Sequence, residues 1–126
     1  MALATAGCGN LSRGELERGV ATLEATASEG VLLAREVARD RTKATYARVH
    51  ARNLADDAEH EAEKLNDATA STGIDGERRR AAELAGELGD TLGELETAPG
   101  DEAGAARAAD DLRKQRSELA DLLGEL

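Results

Sequence analysis

Every seventh residue from Leu16 to Leu65 is small or aliphatic: positions 16, 23, 30, 37, 44, 51, 58 and 65 read Leu, Leu, Gly, Val, Ala, Ala, Ala and Leu. Seven residues are close to two helical turns, so such a row stays on one side of a helix, whereas in a strand it would alternate between faces. A repeat held this long is the pattern of helices packed along a seam. A sheet would lack its raw material, because aromatics are 1% of the chain and the β-branched set is Val20, Val31, Val37, Val49, Ile74 and scattered Thr. The chain is therefore read as all-α, and its 126 residues suffice for one small domain.

Stop and start signals divide it. Ser12 followed by Glu15 forms a capping-box pair that predicts a helix over about 12–28. The companion stripe Val20, Ala27, Ala34 then slips by one residue to Ala47, Leu54, Glu61, Ala68. Ala27-Ser28-Glu29-Gly30 is thus either a tight turn or a weak spot in one long helix, and a break or kink near Gly30 is the expectation. From 31 to 69 no Pro or Gly intervenes, which predicts one long central helix. Ser71-Thr72-Gly73-Ile74-Asp75-Gly76 reads as a turn, a third helix as 77–96, and Thr97-Ala98-Pro99-Gly100-Asp101 as its end. The fourth helix is placed at 102–126. Short loops favour antiparallel neighbours, so the expected architecture is a three- or four-helix bundle, or a coiled-coil-like hairpin, over residues 11–126.

Charge supports that folding. Residues 35–52 carry six cations against Glu36 and Asp40, while 53–67 carry six anions against Lys64. An antiparallel third helix sets Arg78, Arg79 and Arg80 beside the acidic end and Glu87, Asp90, Glu94 and Glu96 toward the basic half. Glu118, Asp121 and Glu125 of the last helix return toward the same arginines. Such exposed pairs contribute about 0 to 1 kcal/mol each, so they specify register more than they stabilise. An alanine-rich seam buries little area, which makes self-association an expectation.

The same arithmetic excludes function classes. A net charge of −10 repels a phosphate backbone, and no aromatic platform exists for bases, so nucleic acid is not an expected partner. No apolar stretch approaches the roughly 20 residues that span a bilayer. The single cysteine has no partner for an internal disulfide and too few companions for a thiolate metal site. Its setting, Leu3-Ala4-Thr5-Ala6-Gly7-Cys8-Gly9-Asn10, resembles the end of a bacterial lipoprotein signal peptide. That resemblance covers residues 3–10 only. It implies lipidation of Cys8, a tether over residues 1–10, and a location at the outer face of a bacterial membrane, reached through the lipid anchor alone.

Two constellations deserve testing against chemistry. Asp57, His60 and Glu61, with His50 and Lys64 near them, invite a divalent-metal reading, because Asp57 and His60 share the i, i+3 spacing of bundle metal ligands. On a helical wheel, however, His60 lies about 180° from Ala51 in the apolar stripe, and no second such pair exists, so a solvated helix face is the simpler reading. Tyr46, Val49 and His50 lie away from the heptad stripe. They are either covered by another helix of this chain or the residues that touch a partner. No serine or cysteine sits with a histidine as a nucleophile would require, and Gly86, Gly89 and Gly93 read as close-packing positions in a helix rather than a phosphate loop.

These readings converge on a non-enzymatic helical interaction or scaffold module of the bacterial cell envelope, with no cofactor. Its partner would be another envelope protein or a second copy, with Tyr46, Val49 and His50 as contacts. A small-ligand or divalent-metal-binding bundle, and a cytoplasmic coiled-coil regulator in which Cys8 is incidental, are the competing readings.

Overall fold

The computed structural model describes residues 10–126. Four helices of similar length account for nearly all of them: α1 (Arg13–Ala38), α2 (Ala44–Asp67), α3 (Thr72–Thr97) and α4 (Glu102–Glu125). The capping box forms as the sequence predicts. Glu15 N–H donates to Ser12 Oγ at 3.1 Å, and Ser12 N–H donates to Glu15 Oε1 at 3.0 Å. Asp101 caps α4 in the same manner, accepting from Gly104 N–H at 3.0 Å.

The interruption expected near Gly30 is not there. α1 runs straight through Gly30, and the chain turns at residues 39–43, so the long central helix expected over 31–69 is split between α1 and α2. Two physical facts relocate the break. Gly30 is buried, and a Cβ on it would lie 3.0 Å from Leu92 Cδ2 and 3.2 Å from Leu112 Cδ1, so its bare surface is where α3 and α4 close on α1. Residues 39–43 are instead five consecutive polar side chains, Arg39-Asp40-Arg41-Thr42-Lys43, with nothing to hold against a core. There the helix ends in a Schellman motif, Arg41 N–H donating to Glu36 O at 2.8 Å and Asp40 N–H to Val37 O at 3.0 Å. Asp40 takes the left-handed position, φ 54°, that glycine usually fills.

The second expected turn is also shorter than its sequence implies. α3 starts at Thr72 and absorbs Gly73 and Gly76, because Ile74 is buried and Asp75 binds Arg78 and Arg79 at 2.9 and 3.4 Å, anchoring the first turn. What remains of the loop holds a two-residue strand, β2 (Thr69–Ala70), paired in parallel with β1 (Asn10–Leu11).

The helices run up, down, up and down. The β1–β2 pairing sets the start of α1 beside the end of α2, and Arg13 Nη1 donates to Leu126 O at 3.1 Å, which brings α1 and α4 antiparallel. Arg52 and Glu96 meet at 3.0 Å between the start of α2 and the end of α3, and Arg80 pairs with Glu118 between α3 and α4. α2 packs most extensively on α3 and α1 on α4, whereas the α1/α2 and α3/α4 seams are looser. Gly89 explains part of the tight seam: a Cβ there would lie 3.3 Å from Glu59 Cγ and 3.9 Å from Ala58 Cβ. The core is a column of Leu16, Leu23, Leu84, Leu88, Leu92, Leu112 and Leu119 with Val20, filled in by alanine. Among the described residues no helix is long and apolar enough to cross a membrane.

Candidate functional site

α2 is the helix that commits least to the core, burying Ala47, Ala51, Leu54, Ala55, Ala58 and Leu65 along one flank. The opposite flank carries Tyr46, 59% exposed, and Val49, 54% exposed, so neither is covered by another helix of the chain. Such large apolar groups in water mark a surface that gains by being covered. His50 follows one turn after Tyr46 and meets its ring edge-on, centroids 5.5 Å apart and planes at 65°. His50 Nδ1 is buried with no hydrogen-bond partner among the described residues. The structure thus brings Tyr46, Val49 and His50 together at the N-terminal end of α2.

Cations surround this group. Arg52 is engaged by Glu96 at 3.0 Å, while Lys43 and Arg48 have no ion pair among the described residues. Around the opposite end of the bundle several basic side chains are matched. Lys64 meets Glu61 at 3.3 Å, Arg80 meets Glu83 at 3.1 Å, and Arg78 donates from Nε to Asp75 and from Nη1 to the Leu65 carbonyl at 2.8 Å. Arg78 is therefore a cap on the C-terminal turn of α2, more than a partner of its carboxylates.

The metal candidates separate. Asp57 and His60 are exposed, whereas Glu61 turns into the α1/α2 seam and holds Lys64. Among the described residues no group of three or more His, Cys, Asp or Glu is placed to hold a metal ion. Glu61 and Lys64 line an open groove of about 520 Å³ with Glu15, Arg18 and Thr22, roofed by Asn10 and Leu11. A second open groove, about 730 Å³, follows the α3/α4 seam over Gly89 and Gly93 and is edged by Asp90, Glu94 and Asp111. Of the three glycines read as close-packing positions, Gly89 alone has that role; a Cβ at Gly86 or Gly93 meets nothing within 4 Å.

Cys8, with the rest of the tether segment 1–9, lies outside the described residues. Asn10, the first described residue, lies at the end of the bundle that holds the β1–β2 ribbon, opposite the end that carries Tyr46. Sequence reasoning missed Leu32, 62% exposed on α1, because the run Val31-Leu32-Leu33 shows no periodicity to tell the outward residue from its buried neighbours. It also missed the buried pair in which Gln115 Nε2 donates to Thr91 Oγ1 at 2.9 Å, since neither residue is distinctive in sequence. No protein-family model, no curated protein and no solved structure matches the chain.

Proposed function

We propose that this protein is a non-enzymatic helical interaction module that binds another protein chain through the outward flank of α2 at Tyr46, Val49 and His50. The observation that carries the reading is the exposure of Tyr46 and Val49 on a helix whose other flank is fully engaged. An isolated surface Leu or Val needs no explanation, but an aromatic and a valine one turn apart, beside cations with no ion pair among the described residues, form a contiguous patch.

The segment around Cys8 adds a location to the proposal. With a lipid on Cys8, the module would be held at the cell envelope by the segment that precedes Asn10 at the ribbon end. Tyr46 lies about 32 Å along α2 from that end, at about 1.5 Å per residue from Tyr46 to Asp67.

Benzophenone-phenylalanine in place of Tyr46, with illumination of producing cells, tests the contact. Adducts are expected at position 46 and not at the exposed control position Arg113. Equal labelling at both positions, or none at 46, would remove the proposal. Metabolic labelling with a fatty acid, compared between the protein expressed from its native locus and the Cys8→Ser variant expressed in the same way, separately tests the anchor.

A further inference from the structure

The outward flank of α2 has a pattern of its own. A row stepping alternately three and four residues runs the length of the helix through Lys43, Tyr46, His50, Asn53, Asp57, His60, Lys64 and Asp67, and all of them but the half-buried His50 are exposed. This is the spacing of a coiled-coil seam, on the side of α2 turned away from its own bundle. The charge of the helix as a whole is divided, with Lys43 the cation of the basic half that lies on this row and Arg52 held by Glu96 of its own chain. Residues 43–52 hold Lys43, Arg48 and Arg52 and no anion, whereas residues 53–67 hold six anions and Lys64.

A helix basic in one half and acidic in the other is complementary to itself in one orientation only. Parallel copies would set like charge over like charge, while antiparallel copies set each basic half on an acidic half. We infer that the occupant of this face is a second copy of the chain, with the two α2 helices packed antiparallel about a two-fold axis near residues 55 and 56. Seam layers in that register place Lys43 against the partner's Asp67, Tyr46 against the partner's Lys64, His50 against the partner's His60, and Asn53 against the partner's Asp57. The contact is isologous and closes at two copies. It covers the exposed Tyr46 and supplies counter-charge to Lys43, which has no ion pair among the described residues of its own chain. The inference rests on the reading of this flank as a contact surface, and it names the partner.

Cysteine trapping in a Cys8→Ser background tests it. Asp56→Cys, next to the axis, is expected to give a disulfide-linked dimer under mild oxidation, whereas Tyr46→Cys, far from its own copy in the antiparallel register, is expected to stay unlinked. Rapid linkage of Tyr46→Cys would mean parallel pairing and overturn the inference. So would linkage of Asp56→Cys no faster than at exposed Ser117. In sedimentation equilibrium of the full chain, Lys43→Glu is expected to weaken the dimer about fivefold or more, because each of two symmetric pairs turns repulsive, and Lys43→Glu with Asp67→Lys to restore it to within about twofold. A wild-type monomer at high micromolar concentration, with benzophenone adducts to a different protein still forming at position 46, sinks the dimer and leaves the interaction reading standing.

Discussion

Asp40 occupies the left-handed C′ position after α1 at φ 54°, where a side chain costs about 1 to 2 kcal/mol relative to glycine and an Asp somewhat less. Asp40→Gly is therefore expected to stabilise the fold by about 0.5 to 1 kcal/mol, read as a higher urea midpoint with an unchanged slope. Gly30 should respond in the opposite sense. Alanine there gains about 1 kcal/mol of helix propensity but drives a methyl to 3.0 Å from Leu92 and 3.2 Å from Leu112, both buried, so Gly30→Ala is expected to cost about 1 to 2 kcal/mol. Gly93→Ala, with open space around the new methyl, is expected to stabilise by up to about 1 kcal/mol. The signs of the two glycine variants, measured by thermal melts, decide whether packing or propensity rules each position. Among the described residues Gln115 is the one buried side-chain amide, and its Oε1 has no hydrogen-bond partner there. Since a buried unsatisfied acceptor costs about 1 to 3 kcal/mol, Gln115→Met is expected to leave stability unchanged or raise it, with Thr91 still bonded to the Glu87 carbonyl.

Helix ends divide into those capped by their own residues and those capped from elsewhere. Ser12 and Glu15 close the start of α1 locally, and the amide and hydroxyl of Ser12, more than any nearby charge, hold the Glu15 carboxyl below its ordinary value of 4.5. A carboxyl depressed in the folded state stabilises fully above its unfolded value, and that stabilisation is lost as pH falls through the lower folded value. The difference in urea midpoint between the wild type and Glu15→Gln should therefore be constant at neutral pH and shrink below about pH 4.5; a difference independent of pH would mean the charge is irrelevant to the cap. The end of α2 is closed from outside, by Arg78 of α3 on the Leu65 carbonyl. Arg78→Ala is expected to cost about 1 to 2 kcal/mol and to raise amide exchange in the last turn of α2 first. The capping box was legible in the sequence because its partners are three residues apart. Arg78 was legible as a basic group near the acidic end of α2, but its true acceptor, a backbone carbonyl, carries no sequence label.

At the scale of the molecule, the all-α class, the antiparallel order and the turn at 98–101 were readable from the chain itself. Each depends on periodicity, composition or breakers within a few residues, and a seven-residue repeat imposes its face whatever it packs against. The placement of the first turn was not readable. Gly30 is a helix breaker by propensity and Asp40 is not conspicuous, yet α1 passes the glycine and stops at the aspartate, because leucines 62 and 82 residues further along fill the space a Cβ would take. Exposure of Tyr46 was open for the same reason: which helix covers which flank of α2 is settled by the tight α2/α3 and α1/α4 pairings, and these arise between segments far apart in the chain. Local spacing alone thus determined that the chain forms rods and how they alternate. Only the close approach of those rods decided where the first one ends and which side of the second is left for another molecule.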